Sequence, residues 1–541
     1  MRDLGSWDYV IVGAGTAGCV LANRLSEDPD VKVLLLEAGK RDNYIWIHIP
    51  VGYLHCIGNP RVDWGFKTTS DPGLNGRSLL YPRGKVLGGC SSINGMIYMR
   101  GQAWDYDHWR QLGLTGWGWD DVLPYFRKSE DHYSWDDDHH AQGGNLRVEE
   151  QRMSWELLDA FRDACEQNGI PKTRDFNGGD NFGSAYFQVT QKSGLRWNGA
   201  KAFLRPASNR PNLHVQTEAH VDRILFDNGV ATGLKLEVEG SEAKVQVDGE
   251  LILAAGAIGS PQLLELSGVG QPDVLKAVGI DPISENRNVG ENLQDHLQLR
   301  PVFKVKNALT MNELAGSWVG KAKIGLEYLF KRSGPMSMAP SQLGVFARTD
   351  PSFETPNVQY HVQPLSLPKF GQPLHDFPAM TASVCNLRPE SRGSVHVATP
   401  NTSDQPDIKP NYLSAEADKR VAADAIRLTR RLMASPAMQP YEPEEYLPGP
   451  DYTSEDELVK AAGDIGTTIF HPVSTCRMGT DETSVVDGRL KLRGFENIRV
   501  VDASVMPSIT SGNTNAPTVM IAEKGSDMIR EDRRAAGQER R

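Results

Sequence analysis

No run of eighteen apolar residues occurs anywhere in the 541-residue chain, so no segment is long enough to cross a bilayer as a helix. The N-terminus enters an apolar strand almost at once, without the charged and apolar leader of a secreted protein. A soluble, cytoplasmic protein is therefore expected, with peripheral membrane association left open. Cysteine is scarce: Cys19, Cys56, Cys90, Cys165, Cys385 and Cys476 show neither paired spacing nor C-x-x-C. They read as free thiols of a reducing compartment, with no structural zinc. Positive charge is short as well. Against 69 Asp and Glu stand 58 Lys and Arg, a net charge of -11, and nucleic acid is excluded as a partner because no basic surplus exists to neutralise phosphates. The one basic cluster, Arg533-Arg534 and Arg540-Arg541, is terminal and flanked by Glu531 and Asp532; it reads as a frayed end. Repeats and low-complexity tracts are absent too.

What is present begins at residue 8. Asp8 to Gly39 reads DYVIVGAGTAGCVLANRLSEDPDVKVLLLEAG. Tyr9 to Val12 is a short β-branched apolar run, a buried strand of a parallel sheet. Gly13, Gly15 and Gly18 follow at G-x-G-x-x-G spacing with Thr16 and Ala17 between them, Cys19 to Leu25 is helical, and Val31 to Leu36 is a second buried strand ending at Glu37-Ala38. The glycines allow a tight turn, close approach of a pyrophosphate to the backbone, and close packing of helix on sheet. The helix aims its N–H groups at that pyrophosphate. An acid roughly twenty residues on can accept hydrogen bonds from a ribose diol. An ordinary βαβ unit with a glycine-rich turn is the plainer reading, but strand, glycines, helix, strand and acid in that order favour a dinucleotide. FAD and NAD both remain open on this stretch.

At this length two or more domains are expected. Residues 40 to 80 are rich in turn formers, an excursion of the kind that covers a bound cofactor. Gly84 to Gly101, GKVLGGCSSINGMIYMRG, gathers small residues at Gly88-Gly89 before Asn94-Gly95-Met96, and predicts a second backbone cradle that includes Gly84 and Val86. Trp109, Trp117, Trp119, Tyr125 and Phe126 read as helical core. His132, Asp136 to Asp138 and His139-His140 could be drawn as a metal site, yet hard ligands in an acidic polar loop are usually solvated, and no metal is expected. Leu213 to Ala254 alternates in short strands. Gly256 to Gly270 predicts a helix capped by Ser260 with Pro261 at its first position. Residues 297 to 455 mix strand-like runs with helices at Trp318 to Lys331 and Lys419 to Ala434, and predict an antiparallel-sheet domain walling a substrate pocket. A final helix is expected from Pro517 to Ile529 with Asn515 as cap.

His471, in TTIFHPVSTCRMG, and Asn513, in SGNTNAPTVMIAEK, carry the chemistry. Oxidising an alcohol needs a base near neutral pH to take the hydroxyl proton and a donor to hold the developing alkoxide. A histidine and an amide can fill those roles, although a lone histidine is more often structural.

With these segments in hand the chain resembles the glucose–methanol–choline (GMC) oxidoreductases over nearly its whole length. GAGTAG with Glu37-Ala38, GKVLGGCSSIN, GAIGSPQLLELSGVG, VGENLQDH, HPVSTCRMG and DASVMP with GNTNAPTVMIAEK match in order, nearest to the branch of choline dehydrogenase and bacterial alcohol dehydrogenases. The resemblance implies an α/β plus α+β fold, with a Rossmann-like FAD-binding domain over 1–296, a second antiparallel-sheet substrate-binding domain over 297–455, and a C-terminal return over 456–541. It implies FAD, with Val221 near the adenine and the isoalloxazine between Asn94-Gly95-Met96 and Asp502-Ala503. It also implies His471 as base, Asn513 as its partner, and hydride transfer from the alcohol carbon to flavin N5. Where choline oxidase bonds its FAD through a histidine this chain has Ile93, so non-covalent FAD is expected. Where that family places a hydrogen-bonding serine this chain has Gly95, which weakens a claim on choline. Electrons are expected to pass to a quinone-type acceptor or dye. Alternatives are an oxygen-using alcohol oxidase releasing peroxide and a flavin-containing hydroxynitrile lyase.

Overall fold

The first strand sets the frame. In the computed structural model, which describes residues 2–369 and 372–539, it runs Arg2–Val12, longer than the apolar run Tyr9 to Val12 predicts. Its polar first half is held by tertiary pairing: Arg2 to Trp7 lie parallel to Ala243 to Val247. Its apolar half is sandwiched between Val33–Leu36 and Leu251 to Leu253. The sheet has seven strands, ordered Leu213–Gln216, Val33–Leu36, Arg2–Val12, Ser241–Leu253, Val230–Val238 and Ala219–Asp227, with Ile498–Val500 also pairing Ser241–Leu253. The pairs from Leu213–Gln216 to Ile498–Val500 are parallel, and the last two strands fold back as an antiparallel meander.

The helix Thr16–Leu25 is buried along its length and packs against the C-terminal helix Asn515–Glu539. Buried Arg24 and Glu523 pair across that contact at 2.7 Å. The C-terminal helix is longer than expected at both ends. It begins at Asn515 itself, so Asn515 is not its cap; instead the Asn515 amide oxygen accepts the Thr16 hydroxyl at 2.8 Å. Its far end is held by Asp532, which meets Arg499 and Lys491, and Arg533 reaches Asp8 and the Tyr9 ring. The tail is thus docked as far as Arg533, while Arg540 and Arg541 lie outside the described residues. The helix after Ser241–Leu253 also starts earlier than expected, spanning Gly256–Leu266 with Ser260 and Pro261 inside it. Pro261 cannot bond the Ala257 carbonyl one turn back, and the Thr475 hydroxyl donates to that carbonyl at 2.7 Å instead.

The second sheet has eight strands, ordered Glu444–Leu447, Val302–Lys304, Ala379–Asn386, Val358–Gln363, Leu343–Ala347 and Gly183–Tyr186, with Leu297–Leu299 bridging to Thr467–Thr468. Every adjacent pair is antiparallel. Two of its strands come from outside 297–455, so that interval is too narrow for the second unit: strand Gly183–Tyr186 has been lent from one side and Thr467–Thr468 from the other. One face of the sheet builds a core of Val358, Tyr360, Val362, Met380, Ala382 and Val384 under the helices Glu156–Gln167 and Glu416–Met433. All six cysteines are free, and five are buried.

In the loop at 132–140, Asp136 to His139 are exposed as its composition suggests, and its two other histidines are not. His132 and His140 are buried. His140 lies between Glu130 at 3.1 Å and Asp175 at 3.2 Å, and Arg100 completes the cluster on Glu130 at 2.9 Å. Two carboxylates hold the His140 pKa up at about 9 against the opposing effect of burial.

Candidate active site

One long cavity runs between the two sheets. At one end its wall is Gly13, Gly15, Thr16, Ala17, Glu37 and Ala38, with Val221 alongside. Gly13 needs its glycine: its φ is +100° and a Cβ would stand 2.6 Å from the Ala254 carbonyl oxygen. Gly18 does not reach the cavity. It lets the helix close on the turn, since a Cβ there would lie 1.9 Å from the Gly13 oxygen. Gly15 differs, because nothing but the Ala254 oxygen, at 3.9 Å, would meet a Cβ. Its missing side chain leaves cavity space.

Glu37 spends one lone pair of each oxygen on backbone, Oε2 on the Ala14 N–H at 3.0 Å and Oε1 on the Gly39 N–H at 2.8 Å. Among the described residues nothing bonds the remaining lone pairs. Burial pushes its pKa up to about 7, opposed by those two N–H groups and by Lys85.

The second glycine loop sits directly on the first. Gly88 donates to the Ala14 carbonyl at 2.8 Å, and a Cβ on Gly89 would be 2.6 Å from the Gly15 Cα. Gly84, Gly89, Cys90, Asn94, Gly95 and Met96 line the cavity, whereas Gly88 and Val86 stand behind it; Val86 packs with Ile47, Cys56 and Ile93. Opposite are Asp502, Ala503 and Asn515; Pro517 is behind the wall. Asp502 accepts from the Gly256 N–H at 2.8 Å and the Ser260 hydroxyl at 2.6 Å, tying the C-terminal return to the start of the helix Gly256–Leu266.

At the other end His471 and Asn513 meet. Asn513 Nδ2 lies 3.1 Å from His471 Nε2, and the Asn513 carbonyl oxygen accepts from Gln359 Nε2 at 3.4 Å, which turns the NH2 group toward the imidazole. His471 Nδ1 lies 3.1 Å from His296 Nδ1, and His296 Nε2 lies 2.9 Å from the Leu387 carbonyl. A carbonyl only accepts, so His296 carries its proton on Nε2 and presents a bare Nδ1. His471 must then donate from Nδ1, leaving Nε2 as a lone pair facing the cavity.

The segment is anchored by Asp295. Its Oδ1 accepts the His471 backbone N–H at 2.8 Å, and its Oδ2 accepts Tyr81, Thr468 and Tyr412 at 2.8, 2.6 and 2.5 Å. Phe470 and Ser474, either side of the imidazole, hold φ of +71° and +77°, an unfavourable backbone that such anchoring can sustain. Burial drives the His471 pKa well below its ordinary value, helped by His296, His361 and Arg83.

Sequence reasoning gave no role to His296, Asp295 or His361. The first two lie in the NLQDH segment. The signal for the third was the alternation VQYHVQ at Val358–Gln363: Val358, Tyr360 and Val362 enter the core, so His361 and Gln363 face the cavity. His361 Nδ1 and Nε2, the Gln359 side-chain Oε1 and the Ser383 hydroxyl are buried without a hydrogen-bond partner among the described residues. Burial and the neighbouring His296 push the His361 pKa down to about 3.

The GMC oxidoreductase N-terminal family model matches residues 7–298 and its C-terminal model residues 389–522. The chain belongs to the GMC oxidoreductase family. An alcohol dehydrogenase [acceptor] of Pseudomonas putida is 42% identical over 97% of this GMC oxidoreductase and 95% of its own length. An oxygen-dependent choline dehydrogenase of Vibrio vulnificus is 39% identical over 97% and 94%. Among solved structures, a formate oxidase of Aspergillus oryzae studied for its FAD modification superposes with a TM-score of 0.91 at 27% identity, covering 99% of this chain and 100% of that one.

Proposed function

We propose that this GMC oxidoreductase oxidises the CH–OH group of a small polar alcohol to an aldehyde or ketone, with FAD as its cofactor. FAD, when bound, supplies the two-electron acceptor for the hydride that leaves the carbinol carbon. The cavity suits it. Gly13, Gly15, Thr16 and Ala17 would cradle the pyrophosphate at the start of a helix, where the absent Cβ of Gly15 leaves room. Glu37 has a free lone pair on each oxygen for a ribose diol. Val221 and Ala38 would flank the adenine, and Asn94, Gly95, Met96, Asp502 and Ala503 the ring system. Ile93 offers no nucleophile for a covalent link, so acid precipitation should release all the flavin, and a pellet that stays yellow after washing would refute this.

The observation that carries the reading is the convergence of His471 Nε2 and Asn513 Nδ2 at 3.1 Å. A substrate hydroxyl approaching both from the cavity, and taking the place of their mutual contact, can give its proton to Nε2 and accept the amide N–H as charge develops on its oxygen. His296 then accepts from Nδ1 of the imidazolium that results. His471→Ala should keep its FAD and lose alcohol-driven flavin bleaching by about 10²–10⁴-fold. Unimpaired bleaching at neutral pH would defeat the assignment.

A polar substrate is supported by His361, which lines the cavity with both ring nitrogens unpartnered among the described residues, because buried polar groups are costly unless something bonds them. The carboxylates that line the cavity, Glu37 and Asp502, are both held by the first unit. Among the described residues a quaternary ammonium therefore finds no carboxylate lining the cavity at the His471 end, since Asp295 there stands behind the wall, spent on the His471 N–H, Tyr81, Thr468 and Tyr412. In an anaerobic panel, diols and hydroxy acids should bleach the flavin faster than choline or a simple alkanol of equal length. The acceptor is read as a quinone-type carrier or dye; peroxide formed in step with alcohol consumption would make the enzyme an oxidase instead.

A further inference from the structure

The helix Trp318–Lys331 is amphipathic the wrong way round for a buried element. Trp318, Ala322, Leu326, Leu329 and Phe330, spaced i, i+4, i+8, i+11 and i+12, form one stripe joined by Val319. That stripe faces solvent: Trp318 is 89% exposed, Phe330 79% and Leu329 66%. The inner face is thin by comparison. Tyr328 is its one buried residue, fixed by a 2.9 Å bond from its hydroxyl to the Gly194 carbonyl. No other element of the described chain exposes so many large apolar side chains. Around the stripe stand Lys321, Lys323, Lys331 and Arg332, all exposed, in a chain whose net charge is -11.

We infer that this helix is a membrane-docking element, lying in the headgroup layer of an anionic lipid surface with the Trp318–Phe330 stripe in the acyl boundary. A contiguous exposed apolar patch marks an interaction site. Aromatic rings in the stripe and lysines at its margins are the composition of interfacial helices, the ammonium groups reaching up to phosphates while the stems lie on the apolar side. Self-association through the same face is disfavoured, because a two-fold contact would set each cationic margin near its own copy. The 3-10 turn Pro335–Ser337 packs on this helix and on the turn Pro50–Gly52. Pro340, Ser341 and Tyr53, close by in sequence, line the cavity. Docking would therefore bring the lipid surface beside the substrate wall.

The test is sedimentation of the FAD-loaded full chain with phosphatidylcholine vesicles, with and without phosphatidylglycerol, alongside sizing of the free protein. The intact chain should co-sediment with the anionic vesicles, less at high salt, and its tryptophan emission should shift to the blue. Trp318→Ser/Leu326→Ser/Phe330→Ser should lower the bound fraction by about tenfold or more while flavin content and alcohol-driven dye reduction in solution stay unchanged. Lys321→Glu/Lys323→Glu should weaken binding to the anionic vesicles selectively. The inference is overturned if the intact chain stays in the supernatant, if the triple variant binds equally, or if the variant's only change is the loss of a dimer seen on sizing.

Discussion

At the scale of single residues, the proposed base His471 is defined by a relay of hydrogen bonds rather than by its own imidazole alone. The Leu387 carbonyl fixes the His296 proton on Nε2, and bare His296 Nδ1 fixes the His471 proton on Nδ1. His296→Leu should retain FAD yet slow alcohol-driven bleaching by about 10–100-fold, as the imidazole samples the wrong tautomer. A rate identical to the intact enzyme would show that the relay does not act. In the intact enzyme His471, the proposed base, stays neutral well below the ordinary histidine range because it is buried. Bleaching should be flat through neutral pH and decline only in acid, and a limb near pH 6.5, the ordinary histidine value, would contradict the burial argument.

At the scale of elements, glycines of one motif do unlike work. Gly18→Ala drives a Cβ to 1.9 Å from the Gly13 oxygen, whereas Gly15→Ala meets no atom nearer than 3.9 Å. The first should abolish soluble folded protein, and the second should fold with its thermal midpoint nearly intact yet come out depleted of flavin. Equal outcomes for both, by circular dichroism and flavin absorbance, would refute the distinction. In the helix Gly256–Leu266 the Thr475 hydroxyl takes the place of the bond Pro261 cannot make. Thr475→Val leaves that buried carbonyl unpaired and should cost about 1–3 kcal/mol, read by urea unfolding; a change near zero would mean that water replaces it.

At the scale of the whole molecule, buried histidines give stability a limit on each side of neutrality. His140 and His396 have folded pKa values raised to about 9 by paired carboxylates. Their contribution is full below the unfolded value near 6.5 and is lost as pH rises through about 9. His361 is the reverse. Its folded value of about 3 means that the unfolded chain takes up the proton first, so stability falls as pH drops from about 6.5 towards 3. Thermal midpoints should peak near neutral pH, His140→Gln should shrink the alkaline loss, and His361→Gln the acid loss. A profile indifferent to both substitutions would sink the account.

Legibility followed the range of the forces involved. The opening βαβ unit, the strand alternation of Leu213 to Ala254 and the helix Trp318–Lys331 were readable because local periodicity and turn chemistry dictate them. Asn515 was misread as a cap and Ser260 as a helix start, because their partners, Thr16 and Asp502, lie hundreds of residues away. By itself the sequence determined a dinucleotide turn with an acid behind it, an imidazole and an amide near the C-terminus, and a chain with no basic surplus. Only the tertiary structure decided that a strand before residue 297 and another after 455 complete the second sheet. It alone decided which nitrogen of His471 is bare, and that the apolar stripe of Trp318–Lys331 faces outward. Periodicity records that a helix has two faces, but which face is covered depends on what the rest of the chain packs against it.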